Sequence, residues 1–178
     1  MINRRNFLKH SALLACTLGS AALARTAFAA MPEKSLKLYN THTGETFSDV
    51  FWADGQFLPE SLHDINYLLR DHRSDKVMPI DTNLLSLLEK VSEQIGPSHT
   101  VHIISGYRSP ETNQLLADRS NGVARHSLHL EGKAIDIRVP GQTLTSVRQI
   151  AMNLRGGGVG FYPDSQFVHI DTGRIRSW

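Results

Sequence analysis

Residues 127–136 read SLHLEGKAID. One imidazole and one carboxylate stand seven positions apart, with a glycine between them. The last three residues open the run AIDIRV (134–139), in which apolar and polar side chains alternate. Alternation of period two marks a strand. Ile135, Ile137 and Val139 then face one way, and Asp136 and Arg138 the other. Gly132 makes a flexible turn just before the strand, so His129 can fold over the face that carries Asp136. The ordinary reading of this stretch is a solvated loop leading into a strand. The other reading is half of a metal site.

A second strand offers the rest. In FVHID (167–171), Val168 and Ile170 point to the core, and Phe167, His169 and Asp171 to the opposite face. If the two strands are neighbours, Asp136, His169 and Asp171 converge, and His129 joins them from the turn. Two imidazoles and a carboxylate form a credible zinc ligand set that leaves a fourth position to water. Zinc lowers the pKa of such a water to about 7. Spacing alone leaves alternatives open: His129 as an exposed loop histidine, Asp136 as a surface carboxylate paired across a strand. His169 is harder to dismiss, because it interrupts an apolar strand. Of the other histidines, His42, His63, His72 and His99 read as turn or helix-surface residues and His102 as a core-edge residue. His126 either borders the cleft or is plain surface.

Outward from these strands, the chain reads as α+β: a small, largely antiparallel sheet with helices packed on one side. LKLYNT (36–41) and ETFSDVFW (45–52) suggest a hairpin around His42-Thr43-Gly44. Pro59-Glu60 opens a helix to about Arg70. Asp81 caps a second helix, whose Leu84, Leu85, Leu87, Leu88, Val91 and Ile95 form an apolar stripe ended by Gly96-Pro97. VHIIS (101–105) is a short strand. Ser109-Pro110-Glu111 starts a helix running to about Arg119, broken at Asn121-Gly122. Residues 145–154 form the last helix, ended by Gly156-Gly157-Gly158. VGFY (159–162) and FVHID are strands joined at Pro163-Asp164.

The first thirty residues are of another class. NRRNFLK (3–9) precedes the apolar LLACTLGSAALA, and Ala27-Phe28-Ala29 is a small-x-small cleavage signal. Residues 1–29 therefore read as a twin-arginine export signal, and 30–178 as one domain placed in the periplasm. Leu13-Leu14-Ala15-Cys16 also resembles a lipoprotein cleavage box, the less favoured alternative. The 178-residue chain carries 19 basic and 17 acidic residues, net +2. Four of those bases and no acid lie in the signal, so the remainder is net −2, and the basic balance is no argument for nucleic-acid binding. Cys16 is the one cysteine, which leaves the domain without disulfides or thiolate ligands. No internal run of eighteen apolar residues suggests a membrane span.

Ser127-x-His129-x-x-Gly132-x-Ala134-x-Asp136, followed by a late strand with His169, resembles the S-x-H-x-x-G-x-A-x-D…H pattern. That pattern belongs to zinc peptidases related to D-Ala-D-Ala carboxypeptidases, lysostaphin-type enzymes and Hedgehog domains. SGYRS (105–109) is similar to the upstream segment of the D-Ala-D-Ala branch. GGVGFY (157–162) and FVHIDTG (167–173) resemble the YcbK-like branch of periplasmic murein endopeptidases. The resemblance covers nearly all of 30–178. It implies a Hedgehog/DD-peptidase-like fold and one zinc ion held by His129, Asp136 and His169. It further implies cleavage of amide bonds in peptidoglycan stem-peptide cross-links, including bridges between two diaminopimelate residues. A monomer is expected.

Within that resemblance, Arg108 would donate a planar fork of hydrogen bonds to the oxyanion or to a substrate carboxylate. Ser127 would orient the His129 segment or bind substrate backbone. The chain departs from the pattern at the general base. Several relatives place Glu three residues before the last zinc histidine, or His two before it; Gln166 and Phe167 stand there here. Asp171, on the same strand face as His169, is nominated as base, with an orienting second carboxylate as its rival role. The missing base positions keep a rival function in view: a zinc-retaining module that binds peptidoglycan or a partner without cutting.

Overall fold

A computed structural model describes residues 32–119 and 124–178 of the chain. The expected export signal with Cys16, and the helix break at Asn121-Gly122, lie outside the described residues. β1 (Lys34–Asn40) and β2 (Thr46–Ala53) form the expected hairpin, and β3 (Gln56–Phe57) folds back on β2. Then come α1 (Pro59–Leu68), α2 (Thr82–Ile95), β4 (Val101–Ser105), α3 (Pro110–Arg119) and a single 3₁₀ turn over Leu128–Glu131. β5 (Ala134–Arg138), α4 (Leu144–Leu154), β6 (Gly158–Tyr162), β7 (Phe167–Asp171) and the short β8 (Arg176–Ser177) complete the order.

Among the described residues, eight strands join one sheet in the order β3-β2-β1-β4-β5-β7-β6-β8. The expectation of a largely antiparallel sheet is corrected, because the sheet is mixed: β1 pairs with β4, and β6 with β8, in parallel. A parallel pair needs a long crossover. Here α1 and α2 return the chain so that β4 enters beside β1 in the same direction. At the other edge the chain reverses after β7 and lands beyond β6.

The helices form where capping and apolar spacing coincide. The Asp81 side chain accepts the N–H of Asn83 and caps α2. Leu84, Leu85, Leu87, Leu88 and Val91 of α2 are all buried. Each such leucine stabilises the fold by about 1.5–3 kcal/mol. Thr143 caps α4 through the N–H of Ser146. The core lies against the sheet face bearing Leu36, Leu38, Ile103, Ile135, Ile137, Val168 and Ile170. α3 differs from the other helices: its buried residues are the polar Thr112 and Asn113, and Leu115 is exposed.

Two glycine expectations change. Helix α4 ends through Arg155 in the left-handed region (φ 51°), before the three glycines. Two of those glycines instead make room for Asp171: a Cβ on Gly157 would strike the Asp171 carbonyl, and one on Gly158 would stand 2.5 Å from Asp171 Oδ2, while Gly156 lies against Leu87. Gly132 is no flexible joint either. It holds φ 64° as the left-handed cap of the 3₁₀ turn, and a Cβ there would meet the Pro79 carbonyl at 2.6 Å.

Candidate metal centre

β5 and β7 are antiparallel neighbours, and Asp136 stands directly opposite His169. The same row across the sheet continues to Ser105 on β4 and Gly160 on β6. His129 reaches this row from the 3₁₀ turn. Ser127 caps that turn by accepting the His129 N–H at 3.4 Å. The SGYR segment clips the turn in place from the other side: the Arg108 N–H donates to the His129 carbonyl at 3.1 Å.

The three side chains converge. His129 Nε2 lies 3.3 Å from His169 Nδ1 and 3.3 Å from Asp136 Oδ1. His169 Nδ1 lies 2.9 Å from Asp136 Oδ1. Tetrahedral coordination at about 2.0–2.1 Å separates ligand atoms by roughly 3.3 Å, so this spacing fits a single small cation. All three residues are buried. Among the described residues this is the group of His, Cys, Asp and Glu side chains whose spacing suits a metal ion.

The outer partners fix the tautomers. His129 Nδ1 lies 2.7 Å from the Gly106 carbonyl, which can only accept, so Nδ1 carries the proton. His169 Nε2 lies 3.1 Å from Asp171 Oδ2, so Nε2 donates there. The remaining nitrogens, His129 Nε2 and His169 Nδ1, therefore point lone pairs at one another and at a carboxylate. Three acceptors at this distance repel unless a cation or a proton lies among them. The titration behaviour agrees. Burial opposes charge on His169, but its hydrogen bonds to Asp136 and Asp171 outweigh that and raise it to about 8. Burial likewise opposes charge on Asp136, yet His129 and His169 hold its carboxyl well below the usual range.

Arg108 stands beside the cluster, with Nη2 3.7 Å from Asp136 Oδ2. Its Nη1 donates to Asn113 Oδ1 and its Nη2 to the Ser105 hydroxyl, both at 3.3 Å. Its Nε is buried with no hydrogen-bond partner among the described residues. Burial lowers the guanidinium's pKa, and Asp136 opposes that.

Asp171 is placed unlike a base. It is fully buried, and its oxygens are taken by the N–H groups of Gly158 and Gly173, by His169 Nε2, and by a two-nitrogen fork from Arg176 at 3.1 and 2.7 Å. Burial opposes its charge, but these bonds hold it well below the carboxylate range. A carboxylate so saturated is a poor proton acceptor and a strong orienting group.

Gln166 faces away, exposed, and donates to the Pro163 carbonyl. Phe167 and the exposed His126 border the cavity of about 180 Å³ over the cluster, with Arg108, Ser127, Tyr162, Arg176 and Trp178 also lining it. Sequence reading missed Tyr162, Arg176 and Trp178. The available signal was that Gly160 faces His169, since a glycine there leaves room for something large.

Fold and site together define a class: an α+β chain whose sheet presents a His–Asp–His donor set suited to one divalent ion beside an arginine. The chain belongs to the family Peptidase_M15_2, described as "Peptidoglycan L,D-endopeptidase MepK", whose model matches residues 28–178. It is 41% identical to "Peptidoglycan L,D-endopeptidase MepK" of Escherichia coli (strain K12), over 99% of this chain and 97% of that protein. It is also 41% identical to "Probable peptidoglycan L,D-endopeptidase MepK" of Haemophilus influenzae, over 80% of this chain and 77% of that one.

Proposed function

We propose that this chain is a zinc-dependent murein endopeptidase that hydrolyses amide bonds in stem-peptide cross-links, bridges between two diaminopimelate residues among them. Family membership and the names of the relatives support the peptidase activity and the peptidoglycan substrate. The observation that carries the metal is the convergence of three lone-pair atoms within 3.3 Å of one another. His129, Asp136 and His169 would hold the ion, and the nitrogen–oxygen donor set suits zinc. When bound, zinc supplies Lewis-acid polarisation of the scissile carbonyl and activation of a water.

The chain's own groups do the rest. Gly106 and Asp171 hold the two imidazoles in the tautomers that present Nε2 and Nδ1. Asp171 acts through His169, and the Arg176 fork keeps it ionised. Arg108 donates to the oxyanion as negative charge develops there. Ser127 keeps the His129 turn in register. Residues 1–29 serve as a twin-arginine signal, and 30–178 work as one domain in the periplasm. Among the described residues no helix is long and apolar enough to cross a membrane.

Digestion of purified sacculi, followed by mass spectrometry of the soluble fragments, tests this reading. The protein is expected to release cross-link cleavage products that a chelator abolishes and added zinc restores. One zinc bound per chain with no new fragment would instead mark a binding module.

A further inference from the structure

Trp178 is half-exposed, at 47%, yet it is held from four directions. Its N–H donates to the Val159 carbonyl at 3.2 Å and its carbonyl accepts from Phe161 at 3.0 Å, so its backbone is locked to β6. Its indole Nε1 donates to the Tyr162 hydroxyl at 2.8 Å, and the Arg176 guanidinium lies 4.8 Å from its ring. The ring sits 5.4 Å from the His169 imidazole, tilted by 49°. Gly160 makes this position available: a Cβ there would come within 2.7 Å of the indole. A large apolar face left in water and fixed in one orientation is an anchor already ordered before binding.

We propose that Trp178 is the specificity-determining wall of the cleft, stacking its indole face on the substrate peptide beside the scissile bond. The proposal rests on the peptidase reading above. Trp178 and His169 line the same cavity with their rings 5.4 Å apart, so a peptide whose amide reaches His169 lies beside the indole. The aromatic surface continues through Tyr162 into Phe167, whose rings stack at 4.6 Å. The same cavity is also lined by the polar Arg108 and Ser127. The cleft therefore takes a chain with methylene surface for the aromatic rings and carboxylate or amide groups for Arg108 and Ser127, which is the character of a diaminopimelate arm. Rigid placement of the aromatic side lowers the ordering cost of holding that flexible arm.

The test compares zinc-loaded wild type with Trp178→Phe and Trp178→Leu on purified cross-linked muropeptide dimers. Leucine keeps apolar packing over His169 but has no flat face; phenylalanine keeps the face. Trp178→Leu is expected to raise KM about tenfold, the equivalent of roughly 1.4 kcal/mol of lost contact. Its kcat stays within about twofold and its zinc content at one per chain, while Trp178→Phe stays within about threefold of wild type throughout. Equal KM in all three proteins overturns the wall and leaves the peptidase reading standing. So does a Leu variant that loses zinc at unchanged KM, which would make Trp178 a shield for His169. Wild type that cleaves no dimer overturns the peptidase reading, and the wall with it.

Discussion

His129 Nδ1 donates to the carbonyl of Gly106 across 2.7 Å, and that bond decides which nitrogen faces Asp136. The partner is a backbone atom of the SGYRS segment, so the segment that carries Arg108 also aims a candidate metal ligand. The second imidazole is aimed by a side chain instead, the Asp171 carboxylate. The two orienting bonds predict different sensitivities to mutation.

Asp171→Asn removes a charge from His169 and from Arg176 at once. Loss of an orienting carboxylate costs about 10–100-fold in metal affinity. Zinc titration against a competing chelator should show that loss, and saturating zinc should restore most of kcat. A kcat that stays collapsed at full zinc occupancy would return Asp171 to the role of base.

Arg108→Ala should leave zinc binding intact and lower kcat by about 10²–10³, the effect of removing one oxyanion donor. Arg108→Lys should not rescue it, because an ammonium cannot reproduce the planar fork. Steady-state kinetics on muropeptide dimers reads both. Full rescue by lysine would show that charge alone is used.

Gly132→Ala places a Cβ against the Pro79 carbonyl at a positive φ. It should destabilise the fold by roughly 1–3 kcal/mol and loosen the His129 turn. Differential scanning calorimetry with and without zinc checks this, and an unchanged Tm would contradict it.

His72 predicts an acid limb. Burial lowers its imidazole to about 4, helped by the stacked His42 and by Arg73 and Arg70, with Asp71 opposing. Its folded pKa lies below the ordinary 6.5, so between about pH 6.5 and 4 the unfolded chain binds more protons. Stability therefore falls as pH falls through that window. Asp71 adds to this lower down. Burial opposes its charge, but hydrogen bonds from Ser109, Thr112 and Arg73 hold it well below the carboxylate range, so its contribution is lost below about pH 4. Urea midpoints measured at pH 7, 5.5 and 4.5 should decline less in His72→Gln than in wild type. Parallel declines would rule His72 out as the cause.

Much of the site was legible because strand alternation is local. Asp136 and His169 each alternate with an apolar row and so share the face away from it, and the β5–β7 pairing sets them opposite one another. The mixed sheet was not legible, because the β1–β4 pairing depends on where two helices deliver the chain. Nor was the saturation of Asp171, whose donors come from Gly158, Gly173 and Arg176, groups with no periodic signature. Trp178 left no signature among its own neighbours: its role follows from the space beside Gly160, a property of β6, and that glycine was the one sign of it.

The most direct measurement is zinc content per chain alongside sacculus cleavage, for wild type and for His129→Ala, Asp136→Ala and His169→Ala. The predicted result is one tightly bound zinc in wild type, its loss in each variant, and loss of cleavage in step with it. A variant that lacks zinc and still cuts, or one that keeps a full zinc after losing His169, would contradict the assignment of this cluster as the catalytic metal centre.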